Sequence, residues 1–336
     1  MTKLLEPIQA GSLTLTHRLI MPPMATSKAE ADGRVSQAIL DYYKEKTAGG
    51  YLSLVIIEHS FIEQKGKASK NQLSVAENSM IGDLKHLAEV IHQNGSKTMM
   101  QINHAGSAAS SEVTGYSPVA PSAIINPRTG GELPHELTQE EIANIVQAFK
   151  NAARRTKEAG FDGVEIHSAH GYLLNQFLSP LTNKRTDEYG GTLENRIRLH
   201  LQVIKAVRAE VGEDYPLLLR LGASDFMEGG TTLEDSQFAA REFEKAGISI
   251  LDISAGLCGY MRPAAEGRFP ALTEGIRKVV SIPVILTGGI TQIETAEQLL
   301  IDGKADLIGV GRAILHDSKW AAEGIRKLQS MKNNQI

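Results

Sequence analysis

A chain of 336 residues with 42% hydrophobic and 22% charged residues has the make-up of a globular protein that buries a sizeable core, not of a disordered chain. Its net charge of −4 gives no bulk attraction to nucleic acid, and its single cysteine, Cys258, excludes an intrachain disulfide and any four-cysteine iron–sulfur or zinc site. The opening "MTKLLEPIQAG" lacks the apolar core and cleavage site of a secretion signal, and no stretch approaches a membrane span, so a cytoplasmic protein without membrane or nucleic-acid partner is expected.

Residues 4–15 read as two short extended pieces around Ala10-Gly11, a hairpin suited to closing the base of a barrel. Eight apolar runs then follow: "RLIMPPM" (18–24), "LSLVIIE" (52–58), "KTMMQI" (97–102), "GVEIH" (163–167), "LLLRL" (217–221), "SILDIS" (249–254), "PVILTGG" (283–289) and "ADLIGVG" (305–311). Between them lie amphipathic stretches such as 80–94, 138–159, 195–211, 232–246 and 293–302, several opening on a Ser/Thr/Asp cap followed by an acid, as in "TLEDSQ". Strand followed by helix, eight times, predicts an α/β fold of the (β/α)8 TIM-barrel kind. A doubly wound open sheet alternates in the same way, but it concentrates function at one switch point. Here every run carries a polar residue, a proline or a glycine at its C-terminal edge (Pro23, Glu58, Gln101, His167, Arg220, Ser254, Gly288 and Gly289, Gly311 and Arg312), which favours a barrel whose whole C-terminal rim is functional. The longest Gly/Pro/Ser-rich segment, 105–135, falls between the third strand and its helix. It reads as a cap or lid after strand three, not a linker, so residues 1–336 are expected to form a single domain.

"VILTGGI" (284–290) and "LIGVGRAI" (308–314) place Gly288, Gly289, Gly311 and Arg312 at successive late strand ends, an arrangement suited to a phosphate dianion as well as to plain tight turns. Sugar phosphates, pyridoxal phosphate and FMN all use that location. Arg220, flanked by leucines at the end of strand five, needs an anionic or carbonyl-rich partner, whether a ligand or a strand-end acid such as Glu165 or Asp252. Gln101 offers a donor beside an acceptor, matching a ring with N–H next to C=O. Pyridoxal phosphate calls for a strand-end lysine, whereas Lys97 starts its strand. In "GVEIHSAHGY" the alternation points Glu165 and His167 at the barrel axis, and "SAHG" can turn so that His170 joins His167. A metal reading lacks a third ligand. A structural pair is an alternative, while two histidine donors on one carbonyl or nitro oxygen, with Tyr172 as acid, would form an electrophile clamp.

The block "EIHSAHGYLLNQFLSPLTNKRTDEYGG", with "RLIMPPMA", "QINHAG", "LRLGASDF" and "TGGI...GVGRAI", resembles the old yellow enzyme family of FMN-dependent ene reductases, along essentially the whole chain. The resemblance implies flavin contacts from Pro22, Pro23, Ala25, His59, Gln101, Arg220, Gly289, Gly311 and Arg312. It implies an oxygen clamp of His167 and His170, a proton from Tyr172, and Ser27 beside the substrate. NADPH or NADH would dock transiently over the same flavin face in a ping-pong cycle, with an activated enone or nitroalkene as the small-molecule acceptor. Ala25 stands where relatives often carry Cys or Thr, Ser27 where the closest-looking subgroup has Tyr, and His59 where a small residue is usual. The tail "RKLQSMKNNQI" lacks the arginine and aromatic residues with which that subgroup completes a neighbour's site, so a homo-oligomer is compatible with the sequence while the shared-site dimer of that subgroup is not an expectation. With one cysteine and an end just past the last helix, no iron–sulfur extension is expected. The rival readings are a flavin dehydrogenase working in the oxidative direction, a phosphate-binding aldolase or isomerase barrel, and a non-catalytic flavin binder.

Overall fold

The apolar runs become eight parallel strands: β1 (Leu19–Met21), β2 (Leu54–Phe61), β3 (Lys97–Asn103), β4 (Gly163–Ser168), β5 (Leu217–Gly222), β6 (Ile250–Ser254), β7 (Val284–Thr287) and β8 (Leu307–Gly309). In this computed structural model, which describes residues 2–259 and 266–333, each strand pairs with the next and β8 returns to β1, closing the expected barrel. The period-2 alternation decides which side chain goes where. Val164 and Ile166 of β4 face outward into the large apolar cluster shared with the helices. Ile20, Leu54, Met99, Leu218, Ile285 and Leu307 face inward and form a separate cluster with Ala10, Leu13 and Leu15. Those last three belong to an antiparallel hairpin, Ile8–Ala10 with Leu13–Leu15, turned at Gly11 with φ 59°. The hairpin therefore stoppers the base of the barrel, as its position in the sequence suggests.

Helices follow the strands: α1 (Gln37–Thr47), α2 (Ile81–Gln93), α3 (Gln139–Glu158), α4 (Arg198–Val211), α5 (Leu233–Lys245), α6 (Pro270–Arg277), α7 (Ile293–Ile301) and α8 (Trp320–Asn333). Capping boxes at Thr138/Glu141 and Thr232/Asp235 start α3 and α5, the latter within the "TLEDSQ" signal. Among the described residues no helix is long and apolar enough to cross a membrane. The last three residues of the tail, for which an unshared site was expected, lie outside the described residues.

The segment 105–135 is ordered by its own short elements, a helix over Ser111–Thr114 and a strand at Val119–Ala120 that pairs with His135–Glu136. It is held from outside by the polar run after β4. Arg185 forms a fork with Asp187 at 3.0 and 2.6 Å, and its Nη1 donates to the carbonyls of Pro121 and Leu137 at 3.0 and 2.6 Å. Asn183 Nδ2 donates to the carbonyls of Phe177 and Tyr189, both at 2.7 Å. The run that most specifically marks the resemblance is thus a brace between two loops, and none of Asn183, Arg185 or Asp187 lines the cavity described below.

Arg185→Ala strands two buried carbonyls and the Asp187 carboxylate. A loss of about 3 kcal/mol is expected, on the scale of breaking a buried charged pair, and is read from urea unfolding. An unchanged midpoint would show that the brace bears no load.

Candidate active site

Inward positions change chemistry one step up each strand: Gln101 above Met99, Glu165 above Gly163, Arg220 above Leu218 and Asp252 above Ile250. The register sets Gln101 beside Glu165 and Arg220 beside Asp252. Gln101 Nε2 donates to Glu165 Oε1 at 2.7 Å, Arg220 Nε lies 3.1 Å from Asp252 Oδ2, and Thr287 Oγ1 donates to Asp252 Oδ1 at 3.0 Å. The ion pair weighed for Arg220 therefore exists, with Asp252 and not Glu165. Burial, reinforced by the charge of Asp252 and opposed by Arg220 and the bond from Gln101, holds the Glu165 carboxyl well above the usual carboxylate range. Burial raises Asp252 as well, opposed by Arg220.

Above this layer opens a cavity of about 400 Å³, the size of a small-molecule site. The segment after β1 contributes Pro22, Pro23, Met24 and Ala25; β3 and β5 contribute Gln101 and Arg220; the ends of β7 and β8 contribute Gly289, Gly311 and Arg312. A side chain at Gly309 would strike Thr287 Oγ1, and one at Gly311 would come within 2.6 Å of Met24 Sδ. At both positions glycine lets a neighbouring side chain, Thr287 or Met24, pack directly against the backbone.

The chain turns sharply after β4, with His170 at φ 60° and Gly171 at φ 70°. Histidine is uncommon in that left-handed region, and here the surroundings over-determine it. Gly171 N donates to Asn175 Oδ1 at 2.7 Å, and its carbonyl accepts from Gln176 Nε2 at 2.7 Å and Asn126 Nδ2 at 2.9 Å. The turn brings the two imidazoles together: ring centroids lie 5.1 Å apart for His167–His170 and for His167–Tyr172, and 5.5 Å for His59–Tyr172. His170 Nε2 sits 2.7 Å from Ser254 Oγ. Burial pushes both clamp histidines well below their usual value, with further depression from the neighbouring imidazole and Arg220 at His167 and from Arg220 and Arg128 at His170. Both are neutral at pH 7. His167 Nδ1 is buried with no hydrogen-bond partner among the described residues, a polar atom that awaits a ligand.

His59 enters the cavity through a β-bulge. The β2–β3 register shifts between Ile57 and Ser60, and this flips the alternation so that His59, not Glu58, faces inward. Gln72 Nε2 lies 2.6 Å from His59 Nδ1, and burial lowers this imidazole to about 4. Ser27, expected beside the substrate, is not among the residues that line the cavity. Glu58 accepts from Thr26 N at 2.9 Å and Thr26 Oγ1 at 2.6 Å, drawing the chain away after Ala25 and leaving Ser27 exposed at φ 54°. Arg128, Ser254 and Phe269 line the site without having been singled out for it. Arg128 left one trace in the sequence: it is the sole Lys or Arg between 105 and 135. Among the described residues no group of three or more His, Cys, Asp or Glu side chains is placed to hold a metal ion.

The donor set suits FMN. Gln101 and Arg220 can meet the N–H and C=O edge of its ring, Gly289, Gly311 and Arg312 its phosphate, and His167 has an unused nitrogen beside them.

The model of the NADH:flavin oxidoreductase / NADH oxidase family matches residues 3–331. The chain is similar to an NADH oxidase of Thermoanaerobacter brockii, with 42% identity over 334 residues, 97% of this chain and 50% of that protein. It is also similar to an NADPH dehydrogenase of Listeria welshimeri, with 38% identity over 330 residues, 98% of this chain and 96% of that protein. Among solved structures it resembles a 2-naphthoyl-CoA reductase complex (TM-score 0.91, 30% identity, 97% of this chain and 52% of that one). It likewise resembles an old yellow enzyme homologue from Zymomonas mobilis (TM-score 0.85, 28% identity, 97% and 93%). A morphinone reductase variant in complex with tetrahydroNAD gives a TM-score of 0.84 at 29% identity, covering 96% and 90%. The chain thus spans about half the length of some relatives and nearly all of others.

Glu58 gives the site a pH signature. Burial raises its carboxyl from 4.5 to about 7 against the bonds from Thr26. Its folded value exceeds its unfolded one, so this contribution to stability is complete below the unfolded value and is lost as pH rises through about 7. The loss is on the order of 3 kcal/mol. Between about pH 5 and 8 the apoprotein should lose stability relative to Glu58→Gln, as urea midpoints would show; parallel pH profiles would contradict the assignment.

Proposed function

Since the chain belongs to the NADH:flavin oxidoreductase / NADH oxidase family, the family of the old yellow enzymes, we propose that it reduces the activated C=C bond of α,β-unsaturated carbonyl or nitro compounds. As a flavin oxidoreductase of this family it takes FMN as cofactor and NADH or NADPH as reductant. The observation that carries the reading is the convergence of His167, His170 and Tyr172 at ring distances of 5.1 Å beside the inward-facing Gln101 and Arg220. Bound FMN supplies hydride transfer, from the nicotinamide and then to the alkene β-carbon, in a ping-pong cycle.

The protein's own groups do the rest. His167 and His170, held neutral by burial, each offer an N–H to the substrate oxygen, whose negative charge grows as the β-carbon accepts hydride. Ser254 can donate its hydroxyl to His170 Nε2, fixing the tautomer whose Nδ1–H is the donor. Tyr172, packed against His167 and His59, delivers a proton from its hydroxyl to the α-carbon. Arg220 and Gln101 would hold the pyrimidine edge of FMN, with Arg220 offsetting negative charge there; Pro22, Pro23, Ala25 and His59 would border its ring, and Gly289, Gly311 and Arg312 would hold its phosphate. Residues 1–336 act as one FMN-binding domain in a cytoplasmic setting.

The purified protein should be yellow and be bleached anaerobically by NADPH or NADH. A colourless protein that does not take up FMN ends the reading. The double substitution His167→Ala/His170→Ala should slow cyclohexenone reduction by roughly 10²-fold or more; unchanged turnover would remove the clamp. Tyr172→Phe should slow reoxidation by the enone, by about 10²-fold, far more than it slows bleaching by the nicotinamide. Equal effects on both halves would reassign Tyr172.

A further inference from the structure

Among the described residues three arginines line the cavity, Arg128, Arg220 and Arg312, and no aspartate or glutamate does. Two of the three have an evident purpose. Arg220 is balanced by Asp252 from below, and Arg312 stands with the glycines at the strand ends. Arg128 has neither. No carboxylate pairs with it among the described residues, and its buried Nε has no hydrogen-bond partner. A half-buried guanidinium in that condition is placed to bind an anion that enters the cavity.

Its placement is built, not incidental. Asn126, itself buried, accepts from Arg128 N at 3.0 Å and Thr129 N at 3.2 Å, and donates to Ser107 Oγ and to the carbonyl of Gly171. The turn that presents Arg128 is therefore fastened to the same Gly171 that follows His170. The guanidinium carbon lies 5.4 Å from the centre of the Tyr172 ring, and the Arg128 stem packs against Gly259, where an added Cβ would come within 3.0 Å of Arg128 Cδ. An anion on Arg128 would thus rest beside Tyr172 and within a small molecule's length of the histidine pair.

We infer that Arg128 is a specificity-determining residue that binds an anionic group of the ligand over Tyr172 and the histidine pair, and that the preferred acceptor is an unsaturated carbonyl compound bearing a carboxylate. The inference rests on the reading of that site as the place where the alkene is reduced. A guanidinium meets a carboxylate through two parallel N–H bonds, which orients the acceptor as well as attracting it. The other source of the same chemistry is a phosphate of the nicotinamide donor.

The test compares 4-oxopent-2-enoate with its methyl ester in the holoenzyme, and NADPH with NADH. Arg128→Gln should lower the acid-to-ester ratio of kcat/KM by roughly 10- to 100-fold, the worth of a hydrogen bond to a charged group. Arg128→Lys should recover part of that ratio. Calorimetric binding of levulinate and methyl levulinate, which cannot be reduced, is independent of turnover. The wild-type protein should bind the acid at least about tenfold more tightly, and Arg128→Gln should abolish the difference. If levulinate discrimination holds while neither alkene is reduced, the ene-reductase reading fails and the anion site stands. A parallel fall for acid and ester, equal binding of levulinate and its ester by the wild type, or an effect confined to the KM of the nicotinamide would each overturn the inference. FMN content and urea midpoint of each variant separate these outcomes from misfolding.

Discussion

The constraint on which the rest of the structure depends is a layer of buried polar side chains laid across a barrel that is otherwise apolar. Gln101, Glu165, Arg220 and Asp252 are all nearly inaccessible to solvent, and each sits at the inward position directly above an apolar or glycine residue on the same strand. Burying two acids beside one arginine is unfavourable unless the charges are reduced, and burial favours the protonated form of Glu165, whose carboxyl it holds well above the usual range. Gln101 and Arg220 are thereby gripped from below and can present their remaining hydrogen-bonding capacity upward. A rim group fixed in this way needs no reorganisation when a ligand arrives, which is the condition for electrostatic stabilisation to be large.

A second set of polar contacts does for the loops what that layer does for the strands. Asn126, Asn175 and Gln176 converge on Gly171, while Asn183 ties the loop after β4 to itself and Arg185 joins that loop to the segment over the mouth. Asp225 performs a similar task after β5, accepting from Ser179 Oγ at 2.6 Å, Thr231 N at 2.7 Å and Leu257 N at 2.7 Å. Loops above a barrel have few apolar contacts to hold them. Here buried side-chain amides and carboxylates take the place of a core, and the left-handed backbone at His170 is stable because its neighbours leave it no alternative.

These two levels explain why some features could be read from residues alone. Strand alternation has a period of two, so the inward placement of Glu165, His167 and Arg220 follows from apolar neighbours at 164, 166, 219 and 221. The hairpin at Gly11 and the caps at Thr138 and Thr232 are equally local. What was not legible depends on irregularity or on distant partners. His59 faces the cavity only because of a bulge that no alternation pattern announces. Ser27 is turned away by a carboxyl more than thirty residues on, at Glu58. Arg128 comes from the longest irregular segment, and its position is decided by Asn126 binding across to Gly171. Such contacts are properties of the folded chain, not of any window of sequence.

The stopper at the base acquires a further meaning from the polar layer above it. Water reaching the barrel from below would hydrate Glu165 and Asp252, and hydration would remove the penalty that raises the Glu165 carboxyl. Arg220 would then answer to two negative charges, and less of its field would reach the mouth. Leu13, Leu15 and Ala10, remote from every reacting group, therefore insulate the site as a dry footing insulates a wall, and the first fifteen residues set the dielectric in which the opposite end of the barrel works.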